Sequence, residues 1–206
     1  MIDTATQALS LALFDGATRI AHAYELAGRG HAEKLVPLIA SLPDDGRAQA
    51  IAVDVGPGSF TGVRIGIAAA RALAFAWNAR LDGFSALSLV AAAARERHPD
   101  LALIPVAMTG GHGELFWQRF DGPTLNPMEE VTSRPIALLA AEVEDAVIFG
   151  TGGAALIAAR GHGQAVEMTP DAGDYRLLPD LLACLPPSPL YGRGPDARPM
   201  ARAGAA

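Results

Sequence analysis

The stretch VDVGPGSFTGVRIGIAAARALAFA, Val53 to Ala76, decides how this chain is read. An apolar run, Ile51 to Val55, ends in Gly-Pro-Gly, and a long alanine-rich segment follows. The pattern predicts a short buried strand, a glycine turn and a helix over Thr61–Asn78, with Ser59 or Thr61 as N-cap. A glycine loop between strand and helix is a common phosphate cradle, so the residues are tested against both phosphate patterns. The P-loop needs Gly-Lys-Ser/Thr, because the lysine reaches the phosphates and the hydroxyl holds magnesium. Here Gly62 is followed by Val63 and Arg64, and the pattern fails. The dinucleotide fingerprint wants a third small residue where Thr61 stands, so Gly56 and Gly58 make only a near miss. What remains is a helix N-terminus, which attracts anions in general terms, or glycines that simply shape a tight turn.

The helix itself carries another signal. Gly62, Gly66, Ala70 and Ala74 recur every four residues, and residues so spaced share one ridge. Ala69, Ala72 and Ala76 continue on a neighbouring face. A ridge this small admits close packing, either of the protein's own sheet or of a helix from a second chain. Both readings stand on sequence alone.

Working outward, Ala8–Phe14 and Thr18–Leu26 form a hairpin around Asp15-Gly16, and Gly28–Leu42 has helical spacing stopped by Pro43-Asp44-Asp45-Gly46. A strand near Leu81–Phe84 and a helix over Ser85–Arg97 follow. Strands at Leu101–Ala107 and Glu114–Phe120, a helix at Pro135–Ala141, a strand at Ala146–Phe149 and a helix after Gly152-Gly153 complete the pattern. This is an α/β chain with a weak internal echo of hairpin then helix. The echo divides it near residue 100, into an N-terminal unit over 1–100 and a smaller one over 101–206. From Pro186 onward the chain is expected to be extended, and its last residues, ARAGAA, disordered.

Composition narrows the function classes. The chain has 206 residues, half of them hydrophobic and 18% charged, which suits a folded α/β protein. Its net charge of −6 comes without basic runs, which argues against autonomous nucleic-acid binding. No apolar run is expected to reach the ~18 residues of a membrane span, since Arg64, Arg71 and Asn78 interrupt the alanine-rich stretch. Asp3 stands where a signal peptide carries positive charge, so a cytoplasmic location is expected. The single Cys184 cannot make an internal disulfide, and in LLACLPP it reads as a small core residue.

Four stretches then fall in a recognisable order: IDTATQALSLALFDG, GHAEKLVPLI, GPGSFTGVRIGIAAARALA and PLYGRGPDA. Together they resemble the TsaB (YeaZ) family, over nearly the whole chain. That family is the non-catalytic subunit of the bacterial machinery that makes N6-threonylcarbamoyladenosine at position 37 of tRNA. The resemblance implies an actin/Hsp70-like (ASKHA, ribonuclease-H-like) fold of two α/β subdomains. It implies a homodimer when alone, a heterodimer with the catalytic subunit TsaD, the ATPase TsaE as a further partner, and tRNA met only through the complex. It implies no membrane partner. Carried over, the dimer contact falls on the helices Gly30–Leu42 and Gly62–Trp77, with His31, Leu35, Leu38, Gly62, Arg64, Gly66, Ala69 and Ala70 as interface candidates. The motif loop is Gly56, Gly58, Ser59, Phe60, Thr61 and Gly62. No catalytic residue, metal or tightly bound cofactor is expected, with ATP or ADP bound only in the assembled complex.

The chain also departs from the family. Its first strand lacks the apolar residues usual before the Asp-Thr, and Thr109-Gly110-Gly111-His112-Gly113-Glu114 replaces the usual Asp-Ala-Arg ahead of Gly-Glu. The catalytic relative's His-x-x-x-His pair is missing, since His31 is followed four residues later by Leu35. Ser59 is not in a nucleophile elbow, because Thr61 replaces its second glycine. The enzymatic rival is an actin-like ATPase or kinase, with Asp3, Thr4, Gly152 and Gly153 as a vestigial nucleotide site. Asp54 lies in mid-strand, and no cation is placed for a γ-phosphate, so that parts list is incomplete.

Overall fold

The computed structural model describes residues 1–28 and 30–192. The expected disorder of ARAGAA lies outside the described residues. Strands β1 (Ile2–Asp3), β2 (Ala8–Asp15), β3 (Thr18–Leu26), β4 (Ala50–Asp54) and β5 (Arg80–Phe84) form one sheet in the order β3-β2-β1-β4-β5. In it β2 runs antiparallel to both β1 and β3, while β1, β4 and β5 are parallel. Strands β6 (Leu103–Gly111), β7 (Glu114–Asp121), β8 (Thr132–Pro135), β9 (Val147–Phe149) and β10 (Gln164–Val166) form the second, in the order β10-β9-β6-β7-β8. Here β6, β7 and β8 are antiparallel, and β6, β9 and β10 parallel. Numbered within its own half, each sheet reads third, second, first, fourth, fifth. The weak echo in the sequence is therefore a duplicated topology, that of the actin/Hsp70-like, ribonuclease-H-like class.

Helices α1 (His31–Ala40) and α2 (Phe60–Trp77) cover one face of the first sheet. There Leu35, Ile39, Val63, Ile67 and Ala70 join Leu9, Leu11 and Val53 in one buried cluster. Ser59 caps α2 by accepting the Gly62 amide, and Asn78 in the left-handed conformation ends the helix. By length and composition α2 is apolar enough to cross a membrane, with a mean hydropathy of 1.2, contrary to the sequence expectation. Its buried side nonetheless packs on β4 and β1. Helix α3 (Ala86–Arg97) lies in the largest core cluster, and every residue from Ala86 to Ala94 is buried. Its alanines let it pack closely against β6, β7 and β9, while Leu87, Leu89 and Val90 supply the apolar area, each worth roughly 1.5–3 kcal/mol when fully buried.

The C-terminal part of the described chain returns to the first sheet. A 3₁₀ turn, Ala172–Leu177, packs on β2, β3 and α3, and α5 (Gly153–Arg160) and α4 (Ile136–Glu142) pack together on the second sheet. Beyond a one-turn helix at Asp180–Ala183, Leu185 exchanges backbone hydrogen bonds with Gly83 at 2.7 and 2.9 Å. The Leu190 amide donates to Val55 O at 2.8 Å, and Gly192 O accepts the Ser133 amide at 2.6 Å. Residues 185–192 thus strap the two sheets to each other.

Candidate functional site

The glycine loop is shaped by what lies beneath it. A Cβ at Gly58 would meet Ala5 O at 2.1 Å, and one at Gly62 would meet Thr4 O at the same distance. The Ser59 amide donates to Ala5 O at 2.6 Å, so the start of α2 is pinned to the turn after β1. Gly56 and Gly62 are buried, Gly58 is half-buried, and Ser59, Phe60 and Thr61 are exposed. Of the two sequence readings, the tight turn describes this geometry.

The small ridge is likewise internal. Gly62, Gly66, Ala70 and Ala74 are all buried, and a Cβ at Gly66 would stand 2.4 Å from Thr4 Oγ1. His31 is buried with Nε2 3.2 Å from Ala8 O, and Leu35 is buried as well. Five interface candidates, His31, Leu35, Gly62, Gly66 and Ala70, are therefore buried within the chain itself. Leu38 and Ala69 are half-buried, and Arg64 is exposed. The face that α2 turns outward is the neighbouring one: Ala68, Arg71, Ala72, Phe75 and Ala76. Phe75 is 92% exposed, which is unusual for a phenyl ring in the body of a helix. On α1 the outward residues are Ala32, Glu33, Lys34, Val36, Pro37 and Ala40, with Val36 58% exposed. Since both helices pack on the same sheet face and on each other, these residues share one outer surface.

A second feature is a cleft of about 1110 Å³ between the sheets. Its walls include Pro57–Phe60 and Arg64 from the first half and Thr109–His112 and Thr151 from the second. At its mouth the Arg64 guanidinium lies 3.3 Å from the Phe60 ring centroid and donates to Tyr191 Oη at 2.6 Å. The four residues expected of a nucleotide site are not in its walls. Asp3 and Thr4 are wholly buried, and Thr4 Oγ1 donates to Gly62 O at 2.8 Å. Gly152 and Gly153 are buried at the start of α5, where Gly152 N donates to Ala107 O. Within the second-half wall, Thr109 N donates to Thr151 Oγ1 at 3.1 Å and Thr109 Oγ1 donates to Thr151 O at 3.3 Å. Among the described residues no three His, Cys, Asp or Glu side chains converge on a common point. Cys184 is exposed, not a core residue, because it caps a one-turn helix too short to turn it inward.

Residues 23–143 match the family model described as TsaD: tRNA N6-adenosine threonylcarbamoyltransferase. The chain belongs to the TsaD family. Two curated relatives are TsaB proteins, in agreement with the sequence motifs. The TsaB tRNA threonylcarbamoyladenosine biosynthesis protein of Escherichia coli is 36% identical over 124 residues, which cover 58% of this chain and 53% of that protein. TsaB of Haemophilus influenzae is 39% identical over 102 residues, covering 47% of this chain and 43% of the relative. The chain thus spans about half the length of the curated relatives it matches. YeaZ from Pseudomonas aeruginosa superposes with a TM-score of 0.74 at 26% identity, covering 92% of this chain and 97% of that structure. The stretch matched to the TsaD family takes in all of α1, α2 and α3, and so the whole outward helical surface.

Proposed function

We propose that the chain is a non-catalytic subunit that docks on a catalytic TsaD partner and supports N6-threonylcarbamoylation of adenosine 37 in tRNA. The observation that carries this reading is Phe75, 92% exposed on the outward face of α2 together with Ala68, Ala72 and Ala76, while Val36 is exposed on α1. An alanine row lets a partner helix come close, and one large ring supplies an anchor. In this reading TsaE joins the assembled complex, a homodimer forms on the same face when TsaD is absent, and tRNA is met through the complex. ATP or ADP binds only after assembly, and the work takes place in the cytoplasm.

The test is co-elution with the TsaD partner after substitution of Phe75→Glu or Ala72→Arg. Both positions face solvent, so the melting temperature should stay within about 2 °C, because surface changes are usually within ±0.5 kcal/mol. The complex should be lost. Variants that co-elute like the parent would remove the outer face from consideration.

A second reading, an actin-like ATPase or kinase, rests on the cleft of about 1110 Å³ between the sheets. ADP released from ATP by the purified chain alone would establish it.

A further inference from the structure

Two carboxyl groups lie where solvent does not reach. Asp3 ends β1 and Asp54 ends β4, and both are 0% exposed. Ile2 pairs with Val53 in parallel register, so the aspartates follow one step later, side by side on strands about 4.8 Å apart. Each engages one oxygen. Asp3 Oδ1 accepts the Ala5 amide at 2.9 Å, and Asp54 Oδ1 accepts the Gly56 amide at 2.6 Å. The other two oxygens, Asp3 Oδ2 and Asp54 Oδ2, are buried and lack any donor.

That arrangement is untenable for two ionised carboxylates. Adjacent like charges in a dry site cannot both persist, and each orphaned oxygen carries its own desolvation cost. The surroundings relieve it only in part, through the Ala86 amide at the start of α3, which acts on Asp54. Opposite Asp3 on β2 stands Ser10, a neutral hydroxyl whose Oγ accepts the Ala172 amide and which brings no positive charge. From the start of α3 comes Ser85, a buried hydroxyl without a partner, and α2 presents Gly62 and Gly66 over the neighbouring Thr4. The outside charge that reaches Asp3 is that of Asp171, which is negative and is engaged with His22 at 2.7 Å. Beyond it, Asp174 and Arg19 sit on the same 3₁₀ segment and on β3.

We propose that Asp3 and Asp54 hold one proton between them at neutral pH, and that this shared hydrogen bond is the clasp fixing both loops from which α2 starts. One carboxyl then donates and the other accepts, so neither Oδ2 is orphaned and a single negative charge remains. The loops follow directly: Asp3 holds Ala5, whose carbonyl receives the Ser59 amide, and Asp54 holds Gly56. Burial raises Asp3 to about 7 and pushes Asp54 well above the usual carboxylate range, with mutual repulsion adding to the latter. Because the folded chain keeps protons that the unfolded chain releases near pH 4, raising the pH favours unfolding. The folded-to-unfolded ratio falls about tenfold per pH unit for each extra proton, from about pH 4 until that proton is lost from the fold.

The test uses Asp3→Asn and Asp54→Asn in the full chain. A carboxamide keeps the Oδ1 acceptor and supplies an N–H that does not titrate. Both variants should fold, and between about pH 5 and 7 their folded-to-unfolded ratio should lose about tenfold less per pH unit than that of the parent. Infrared spectra of the parent at pH 7 should contain a protonated-carboxyl band that each substitution removes. This second measurement stands even if a variant fails to fold. Absence of that band, or unchanged pH slopes in folded variants, overturns the proposal. So does a stoichiometric metal ion retained by the parent and removed by a chelator, since a cation would then take the proton's place.

Discussion

Gly66 lies directly over Thr4: a Cβ on the glycine would come within 2.4 Å of the threonine Oγ1. That hydroxyl already donates to Gly62 O, so helix and strand end meet through backbone and one small group. The glycine-alanine ridge is a seam inside the molecule, and the solvent-facing residues of α2 lie on the next face around the helix.

Substitutions along the seam should differ in kind. At Gly62 an alanine would collide with the Thr4 carbonyl, a backbone atom that cannot rotate away. At Gly66 it would meet a hydroxyl that can rotate away at the cost of its hydrogen bond. Overpacking of this sort costs about 1–3 kcal/mol, against which alanine returns about 1 kcal/mol of helix propensity. Gly62→Ala should therefore lower the urea midpoint clearly more than Gly66→Ala. Equal midpoints would refute the seam.

The strap makes a separate prediction. Tyr191 stacks with Phe60 at 6.4 Å between centroids and accepts from Arg64. Tyr191→Ala should cost no more than about 1–2 kcal/mol overall, because the contact is exposed. It should nonetheless speed amide hydrogen exchange at Leu190 and Ser133, the two donors in the bonds that tie the strap to Val55 and to β8. Unchanged protection at both amides would mean that the ring is not the latch.

Cys184 offers a simple check on the C-terminal segment. An exposed thiol should react fully with a disulfide reagent under native conditions, at a rate close to that of the urea-unfolded chain. A thiol that reacts only on unfolding would return it to the core.

The parts of this fold that were legible in sequence are those where side-chain period and turn chemistry agree, such as the β2–β3 hairpin around Asp15-Gly16 and the strand-turn-helix at Val53–Ala76. Strands β8 and β10 were missed because they span four and three residues, and none of their side chains is fully buried. The ridge could not be assigned, since a repeat every four residues is the same whether it faces a sheet or a second chain. Thr4 decides it, and Thr4 reaches α2 only through tertiary structure. Asp54 read as a residue misplaced for ATP chemistry. Its partner Asp3 becomes evident only when the register Ile2↔Val53 is known. Phe75 passed unnoticed in an apolar helix because its neighbours hide the direction in which it points.

The bond pair between Leu185 and Gly83 also bears on how the protein is made. The first sheet has all five of its strands once β5 has been synthesised. Yet the segment that braces Gly83 and Val55 comes after the whole second sheet, and α3 stays uncovered until β6, β7 and β9 arrive. On the ribosome the N-terminal half would wait in an incomplete state, its longest stretch of buried alanines open to water. Completion of both halves then waits for residues 185–192.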